Sequence, residues 1–205
     1  VNPVEQGERR LFVTLKNRIV MGSMHTGLED RAKHIDELAE YFAERSRGGA
    51  ALLITGGYAP SKRGWLLPLG SEMTNKSTAR RHRRITDATH EHGGKIALQV
   101  LHAGRYGYTP FSESASASKS QITPFTAKAM SARRVDGTVD AFARSAVLAR
   151  EAGYDGVEVM GSEGYFINEF LAARTNRRTD RWGGSYENRM RLPVDNRLTH
   201  RPVPN

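Results

Sequence analysis

The sequence contains no cysteine. This absence excludes disulfide bonds, thiolate zinc sites, iron–sulfur ligation and cysteine nucleophiles within the chain. No apolar run approaches the ~20 residues of a membrane-spanning helix, and residues 1–10 lack the apolar stretch of a secretory signal. We therefore expect a cytoplasmic protein with no membrane partner.

Acidic residues are in the minority, with 22 Asp and Glu against 31 Lys and Arg in 205 residues. A positive balance is typical of proteins that bind nucleic acid, an acidic membrane surface or a phosphorylated ligand, and also of proteins that only gain solubility from it. The arginines are dispersed, apart from clusters at residues 80–84 and 174–181. This distribution favours a solvated surface first and a phosphorylated small molecule second, and we expect no specific nucleic-acid partner.

Four short and continuous apolar runs predict parallel strands that are buried on both faces. Helical stripes lie between these runs, and each stripe is followed by one or two glycines. The strands are expected at residues 18–21, 50–55, 95–101 and 156–160, and the stripes are Ile35/Leu38/Ala39/Phe42, Ile85/Ala88/His92 and Val139/Phe142/Ala146/Ala149.

The alternation of strand and helix predicts an α/β fold made of βαβ units. No G-x-G-x-x-G follows the first strand, which disfavours a dinucleotide-binding Rossmann unit. We therefore expect about four βα units, the N-terminal half of a TIM (β/α)₈ barrel. Residues 103–138 show no clear period and are interpreted as an excursion after the third strand, of a length that is usually functional or mobile.

Polar and glycine-rich clusters follow each predicted strand. They are 21–26 after the first strand, Thr55-Gly56-Gly57 after the second, Gln99 to Arg105 at the end of the third, and 160–165 after the fourth. In a barrel, ligand residues lie at the C-terminal ends of the strands. The sequence therefore predicts one site at that end of the sheet.

Several linked motifs carry a resemblance to a known family. They are LKNRIVMGSMHTGLE, GGKIALQVLHAGRY, AGYDGVEVMGSEGYFINEFL and RTNRRTDRWGGSYENRMRLPV, in that order. Together they resemble the N-terminal barrel of the bacterial 2,4-dienoyl-CoA reductases, within the old yellow enzyme group of FMN-dependent oxidoreductases. The resemblance runs from about Leu15 to Val194.

The resemblance implies that this chain binds FMN. Ser23, Met24, His25, Gly56 and Gln99 occupy positions that contact the flavin in the family. The chemistry of these residues agrees with flavin binding. A flat flavin ring needs small residues close to its face, and a glutamine amide offers both a donor and an acceptor to the polar edge of the ring. Core packing for Met24 and a turn position for Gln99 are the alternatives.

The same family places a catalytic tyrosine at Tyr165, with Glu163 available to tune or relay its proton. Arg174 and His102 are candidate substrate-binding residues for an acyl-CoA, although His102 equally suits a structural role. Classical enoate reductases carry a His/His or His/Asn pair where this chain has Met160 and Glu163. This difference favours the dienoyl-CoA subgroup. No metal site is expected.

We divide the chain into a divergent segment at 1–14, a partial FMN-binding barrel at 15–194 and an off-family tail at 195–205. We expect a truncated or frameshifted form of the longer enzyme. FAD, NADPH and the 4Fe–4S cluster are expected only in the missing parts. Four strands leave open sheet edges, and these predict self-association. The tail contains Pro202 and Pro204 and has no apolar stripe.

Two other functions stay open at this point. The chain could be a broader NAD(P)H:flavin oxidoreductase or enoate reductase that acts on simple enones. It could also be a non-catalytic basic protein that binds anions or RNA weakly, which salt-sensitive binding without flavin uptake would indicate.

Overall fold

The structure is a computed structural model that describes residues 13–194. Its centre is a parallel four-stranded sheet in the order β1-β2-β3-β7, and a smaller sheet has the order β4-β6-β5. The predicted α/β fold is confirmed. In chain order the strands are β1 (Val20–Met21), β2 (Leu52–Tyr58), β3 (Lys95–Val100), β4 (Glu113–Ser114), β5 (Ser118–Lys119), β6 (Thr126–Ala129) and β7 (Gly156–Val159).

Five α-helices accompany the strands, and three of them connect consecutive strands of the main sheet. No helix within residues 13–194 is both long and apolar enough to span a membrane. The helices are α1 (Ile35–Arg47), α2 (Lys76–His90), α3 (Ala132–Glu151), α4 (Phe166–Leu171) and α5 (Tyr186–Val194).

Strand β2 is longer than predicted, because it continues through Gly56 and Gly57 instead of ending before them. Its pairing with β3 shifts register between Ile54 and Gly57. Glycines inside a strand often mark such an irregularity or a close approach of another group. Beyond the shift, Gly57 pairs with Gln99, and Gln99 in turn pairs with Glu158 on β7.

Helix α1 follows its predicted stripe. Leu38 and Phe42 are almost fully buried, and the helix ends at Arg47, where the Gly48 N–H donates to the Glu44 carbonyl at 2.8 Å. Helix α2 differs from its prediction because polar residues occupy part of its buried face. Thr86, Thr89 and His82 lie there beside Ile85, whereas the predicted stripe member His92 lies beyond the last helical residue.

Residues 103–138 form the predicted excursion after the third strand, but they contain secondary structure that the sequence did not predict. The segment forms the small β4-β6-β5 sheet, and α3 begins at Ala132. Ser131 caps this helix by accepting a hydrogen bond from the Arg134 N–H at 3.2 Å. Two-residue strands and a polar first helical turn carry no hydrophobic period, which is why the sequence pattern did not show them.

The arginine-rich segment after α4 is held in place by an ion pair and side-chain hydrogen bonds. Arg178 pairs with Asp180, and Ser185 accepts from the Asn188 N–H at 3.3 Å at the start of α5. Asn176 donates to the carbonyls of Phe170 and Trp182 at 2.8 and 2.7 Å. These bonds hold the segment against α4. The predicted tail at 195–205, and most of the predicted segment at 1–14, lie outside the described residues.

Candidate functional site

A cavity of about 190 Å³ lies at the C-terminal ends of the parallel strands, where the sequence predicts a site. Every strand of the main sheet contributes to it, directly or through the loop that follows it. Its lining includes Ser23, Gly57, Gln99, Met160, Glu163 and Tyr165. The structure thus brings together residues that are up to 142 positions apart in sequence, from Ser23 to Tyr165.

Gln99 is the central polar group of this cavity. It is 3% exposed, and its Nε2 donates to Ser23 Oγ at 2.8 Å and to Glu158 Oε2 at 2.9 Å. Its backbone N–H donates to Thr55 Oγ1 at 3.0 Å. The first two bonds hold the side-chain amide against the loop after β1 and against β7, and the third ties the backbone of Gln99 to β2. A buried amide with both of its N–H groups bound is well oriented.

His25 forms a second part of the lining, and Asp30 holds it in place. His25 Nε2 lies 2.9 Å from Asp30 Oδ2, and Asp30 Oδ1 accepts from the Ser71 N–H at 3.0 Å. Both His25 and Asp30 line the cavity. Asp30 therefore joins the loop after β1 to the loop after β2.

Tyr165 reaches the cavity from a tight turn between β7 and α4. Glu163 and Gly164 both have positive φ, +61° and +81°, and Tyr165 is the N-cap residue of α4. A non-glycine residue with positive φ is uncommon and is found often at functional sites. The ring of Tyr106 packs edge-on against that of Tyr165, with 5.7 Å between centroids.

The environment of Tyr165 keeps its phenol protonated. Burial raises the pKa of Tyr165 above its ordinary value, and the Glu163 carboxylate and Tyr106 raise it further. The phenol oxygen has no hydrogen-bond partner among the described residues. A protonated phenol that is free to donate into a cavity is suited to act as a general acid.

A family model, the NADH:flavin oxidoreductase / NADH oxidase family, matches residues 7–196. The chain belongs to this family. Among curated relatives, it is 36% identical over 186 residues to the NADPH dehydrogenase of Halalkalibacterium halodurans, covering 88% of this chain and 54% of that protein. The chain spans between about a quarter and about a half of the length of the curated relatives it matches.

Solved structures of flavin oxidoreductases share this fold. The structure of morphinone reductase in complex with tetrahydroNAD superposes with a TM-score of 0.80 at 27% identity, covering 90% of this chain and 56% of that one. The complex of 2-naphthoyl-CoA reductase with 2-naphthoyl-CoA gives a TM-score of 0.80 at 26% identity, covering 89% of this chain and 30% of that one. These coverages agree with a partial TIM barrel.

The cavity fits the ring of the FMN that this flavin oxidoreductase family implies. Leu66, Leu67 and Leu101 supply apolar walls, and Gln99 supplies a polar end. Because both N–H groups of the Gln99 amide are bound to protein, Oε1 is the atom left for an N–H of the ring edge. Ser23 and Gln99 would hold that edge. In barrels of this type the phosphate site lies in the loops after the seventh and eighth strands.

Two residues with predicted flavin contacts do not line the cavity. Met24 is 59% exposed, and its Sδ accepts from Tyr41 Oη at 3.6 Å. Gly56 packs on the other side of β2, where a Cβ would lie 2.7 Å from Glu29 Oε1. The glycine at the cavity wall is Gly57. The flavin contacts of Met24 and Gly56 therefore stay predictions.

His102 has a structural position, which corrects its prediction as a substrate-binding residue. It is 1% exposed, and its Nδ1 accepts from the Gly104 N–H at 3.1 Å. Its ring packs on Phe166 with 4.4 Å between centroids. Burial lowers the pKa of His102 to about 3, and Arg134 adds to this effect. A neutral, enclosed imidazole of this kind supports the loop and does not meet a substrate.

Arg174 does not line the same cavity as Tyr165 and Gln99. It is exposed and lines a second cavity, together with Tyr106. The structure thus separates this predicted substrate-binding residue from the predicted flavin site by a wall that includes Tyr106.

Sequence reasoning missed Glu158 and Asp30. Glu158 stands between two valines in a short apolar strand, and a charge in such a strand needs a partner when the strand is buried. A charge at this position of an apolar strand was therefore a sequence signal that could have identified Glu158. Asp30 offered none, because its role depends on His25 and Ser71 from two different loops.

Proposed function

We propose that this chain is the ring-binding part of an FMN-dependent reductase that reduces a conjugated carbon–carbon double bond of a 2,4-dienoyl-CoA. The observation that carries the proposal is the common cavity of Gln99, Ser23 and Tyr165, in which an amide suited to a flavin edge and a protonated phenol line the same space. We assign this role to residues 15–194. FAD and the 4Fe–4S cluster stay predictions from the family resemblance.

The chemistry divides between the cofactor and the protein. FMN held by Ser23 and Gln99 would supply a hydride to the conjugated chain, with NADH or NADPH as the source of that hydride. Addition of a hydride moves an electron pair toward the thioester carbonyl, which leaves a dienolate that needs one proton on carbon. Tyr165 Oη donates that proton, because its raised pKa keeps the phenol protonated at neutral pH. Water restores the phenol proton from the open side of the cavity.

Two lining residues differ from those of a classical enoate reductase. Met160 and Glu163 line the cavity at the positions where classical enoate reductases carry a carbonyl-binding pair. Neither side chain can donate a hydrogen bond to a carbonyl at neutral pH, because a thioether and a carboxylate are acceptors only. The fold shared with 2-naphthoyl-CoA reductase, whose complex holds an acyl-CoA, supports the same substrate class.

Flavin binding is the first test, and it needs no turnover. Titration of the purified chain with FMN should quench flavin fluorescence. Gln99→Leu keeps the side-chain size but removes the amide, and should weaken binding by about tenfold, the value of one buried hydrogen-bonded group. Tyr165→Phe should bind FMN as the unaltered chain does. Equal FMN affinity in Gln99→Leu and the unaltered chain would contradict the proposed site.

Turnover then separates the substrate classes. With NADPH and FMN present, the chain should oxidise NADPH faster with a 2,4-dienoyl-CoA than with 2-cyclohexenone. Tyr165→Phe should lower the dienoyl-CoA rate by roughly 10²- to 10⁴-fold, the range for loss of a general acid. Faster reaction with the enone would instead favour the broader enoate reductase.

A further inference from the structure

A second cavity, which we call the basic cleft, opens beside the predicted flavin site. Its volume is about 490 Å³. Three of its seven lining residues are cations, Arg105, Lys119 and Arg174, and none is a carboxylate. These cations come from three separate segments: the turn after β3, strand β5 and the segment after α4.

The basic cleft and the flavin cavity share an aromatic wall. Tyr106 lines the cleft, and Tyr165 lines the flavin cavity. The two rings are in edge-on contact, with 5.7 Å between centroids. Arg105 also lies along this wall, since its Nη2 donates to Tyr106 Oη at 3.3 Å. A ligand whose reactive end reaches Tyr165 therefore has the cleft directly beside it.

Two of the three cations of the basic cleft have no carboxylate partner, whereas Arg105 lies close enough to the Glu169 carboxyl to lower its pKa. Lys119 and Arg174 are exposed, and neither forms an ion pair with a carboxylate in the described part of the chain. Other arginines of the same region are paired, for example Arg178 with Asp180 and Arg181 with Asp136. Cations that converge on one concave surface without counter-charges create a strong local attraction for anions.

We propose that the basic cleft binds the phosphate groups of a nucleotide tail whose reactive end lies at Tyr165. Guanidinium and ammonium groups are the side chains that recognise phosphate oxygens. The proposal rests on the proposed function, in which the substrate is a CoA thioester. CoA and NADPH both carry an adenosine with a diphosphate and a phosphomonoester. Ile122, which also lines the cleft and is 67% exposed, offers an apolar contact for the base.

The test uses the two nucleotide tails alone, so that it depends on neither flavin binding nor turnover. Calorimetric titrations at low salt compare 3′-phosphoadenosine 5′-diphosphate, the tail of CoA, with 2′-phosphoadenosine-5′-diphosphoribose, the tail of NADPH. Tighter binding of the first supports the substrate assignment. Tighter binding of the second assigns the cleft to the nicotinamide coenzyme and overturns it.

Two double variants show whether the cleft itself binds the tail. Lys119→Ala/Arg174→Ala removes two cleft charges and should weaken binding by about tenfold or more. Lys128→Ala/Arg133→Ala removes two charges outside the cleft, one of them on the adjacent strand β6, and should change affinity by less than about twofold. Equal losses in both variants, or no binding by the unaltered chain, would overturn the proposal. A chain that binds the CoA tail but reduces no dienoyl-CoA would contradict the proposed function and not the cleft.

Discussion

Glu169 is a buried carboxyl group whose protonation should make folding stability depend on pH. It lies on α4, is 1% exposed, and its Oε1 accepts from the Arg105 N–H at 2.8 Å. Its Oε2 has no hydrogen-bond partner among the described residues. Burial raises the pKa of Glu169 from 4.5 to about 7, although the bond from the Arg105 backbone opposes the shift.

The sign follows from proton binding in the two states. Between about pH 4.5 and about pH 7, folded Glu169 holds a proton that the unfolded chain has released. Stability therefore falls as pH rises through this window, the reverse of the usual carboxylate case. The pKa of Glu169 rises from 4.5 to about 7, and each pKa unit corresponds to about 1.36 kcal/mol. The free energy of unfolding therefore falls by about 3 kcal/mol across this window, and the fall is complete above about pH 7.

Glu169→Gln removes the titration and keeps both the side-chain size and an oxygen for the Arg105 N–H. Urea unfolding followed by circular dichroism should show the variant gaining about 3 kcal/mol relative to the unaltered chain between about pH 4.5 and about pH 8. The glutamine N–H groups of the variant lack a partner, and their effect on its free energy of unfolding does not change with pH. Glu91→Gln, which removes an exposed carboxylate next to α2, controls for net charge. Parallel stability curves for Glu169→Gln and the unaltered chain would refute the reasoning.

Two further variants test the turn before Tyr165 and the open sheet edge. Gly164→Ala adds a Cβ 2.7 Å from Tyr106 Oη, whereas Gly93→Ala, at a similar φ, meets open space. Urea unfolding should therefore show that Gly164→Ala lowers the free energy of unfolding by about 1–3 kcal/mol more than Gly93→Ala does. Equal losses in the two variants would contradict the contact. Val20 lies on edge strand β1 and is 49% exposed, and we propose that this edge mediates self-association. Val20→Lys should lower the association seen by analytical ultracentrifugation. Phe111→Lys, at an exposed phenylalanine away from that edge, should not lower it. An unaltered chain that stays monomeric at all concentrations would disprove this proposal.

The sequence predicts the main sheet well because its strands are short continuous apolar runs. Both the strand order and the parallel direction follow from helices placed between those runs. The errors in the strand predictions have one physical origin. Hydrogen bonding between strands that are distant in sequence outweighs the local preferences of the residues. Gly56 and Gly57 are usual turn residues, yet pairing with β3 draws them into β2. The small sheet depends on strand partners up to 15 residues apart and has no local period.

The sequence predicted those residues of the candidate site that lie within the family motifs. Gln99 and Tyr165 stand in segments that resemble a family, and the structure places them in one cavity. His102 lies in the same motif as Gln99, yet it is enclosed under Phe166. The direction in which each side chain points was not available from the order of residues alone.

The orientation of the Gln99 amide shows what the structure adds to the motif. A glutamine alone offers either its oxygen or its N–H groups to a ligand. Glu158 resolves this choice, because its Oε2 accepts a hydrogen bond from Nε2 at 2.9 Å and so turns the N–H groups toward β7. Ser23 takes the second N–H at 2.8 Å. The oxygen then remains for a ligand that donates, and the flavin edge has such an N–H. In the proposed function, Glu158 on β7 would thus select the edge of the flavin that Gln99 binds.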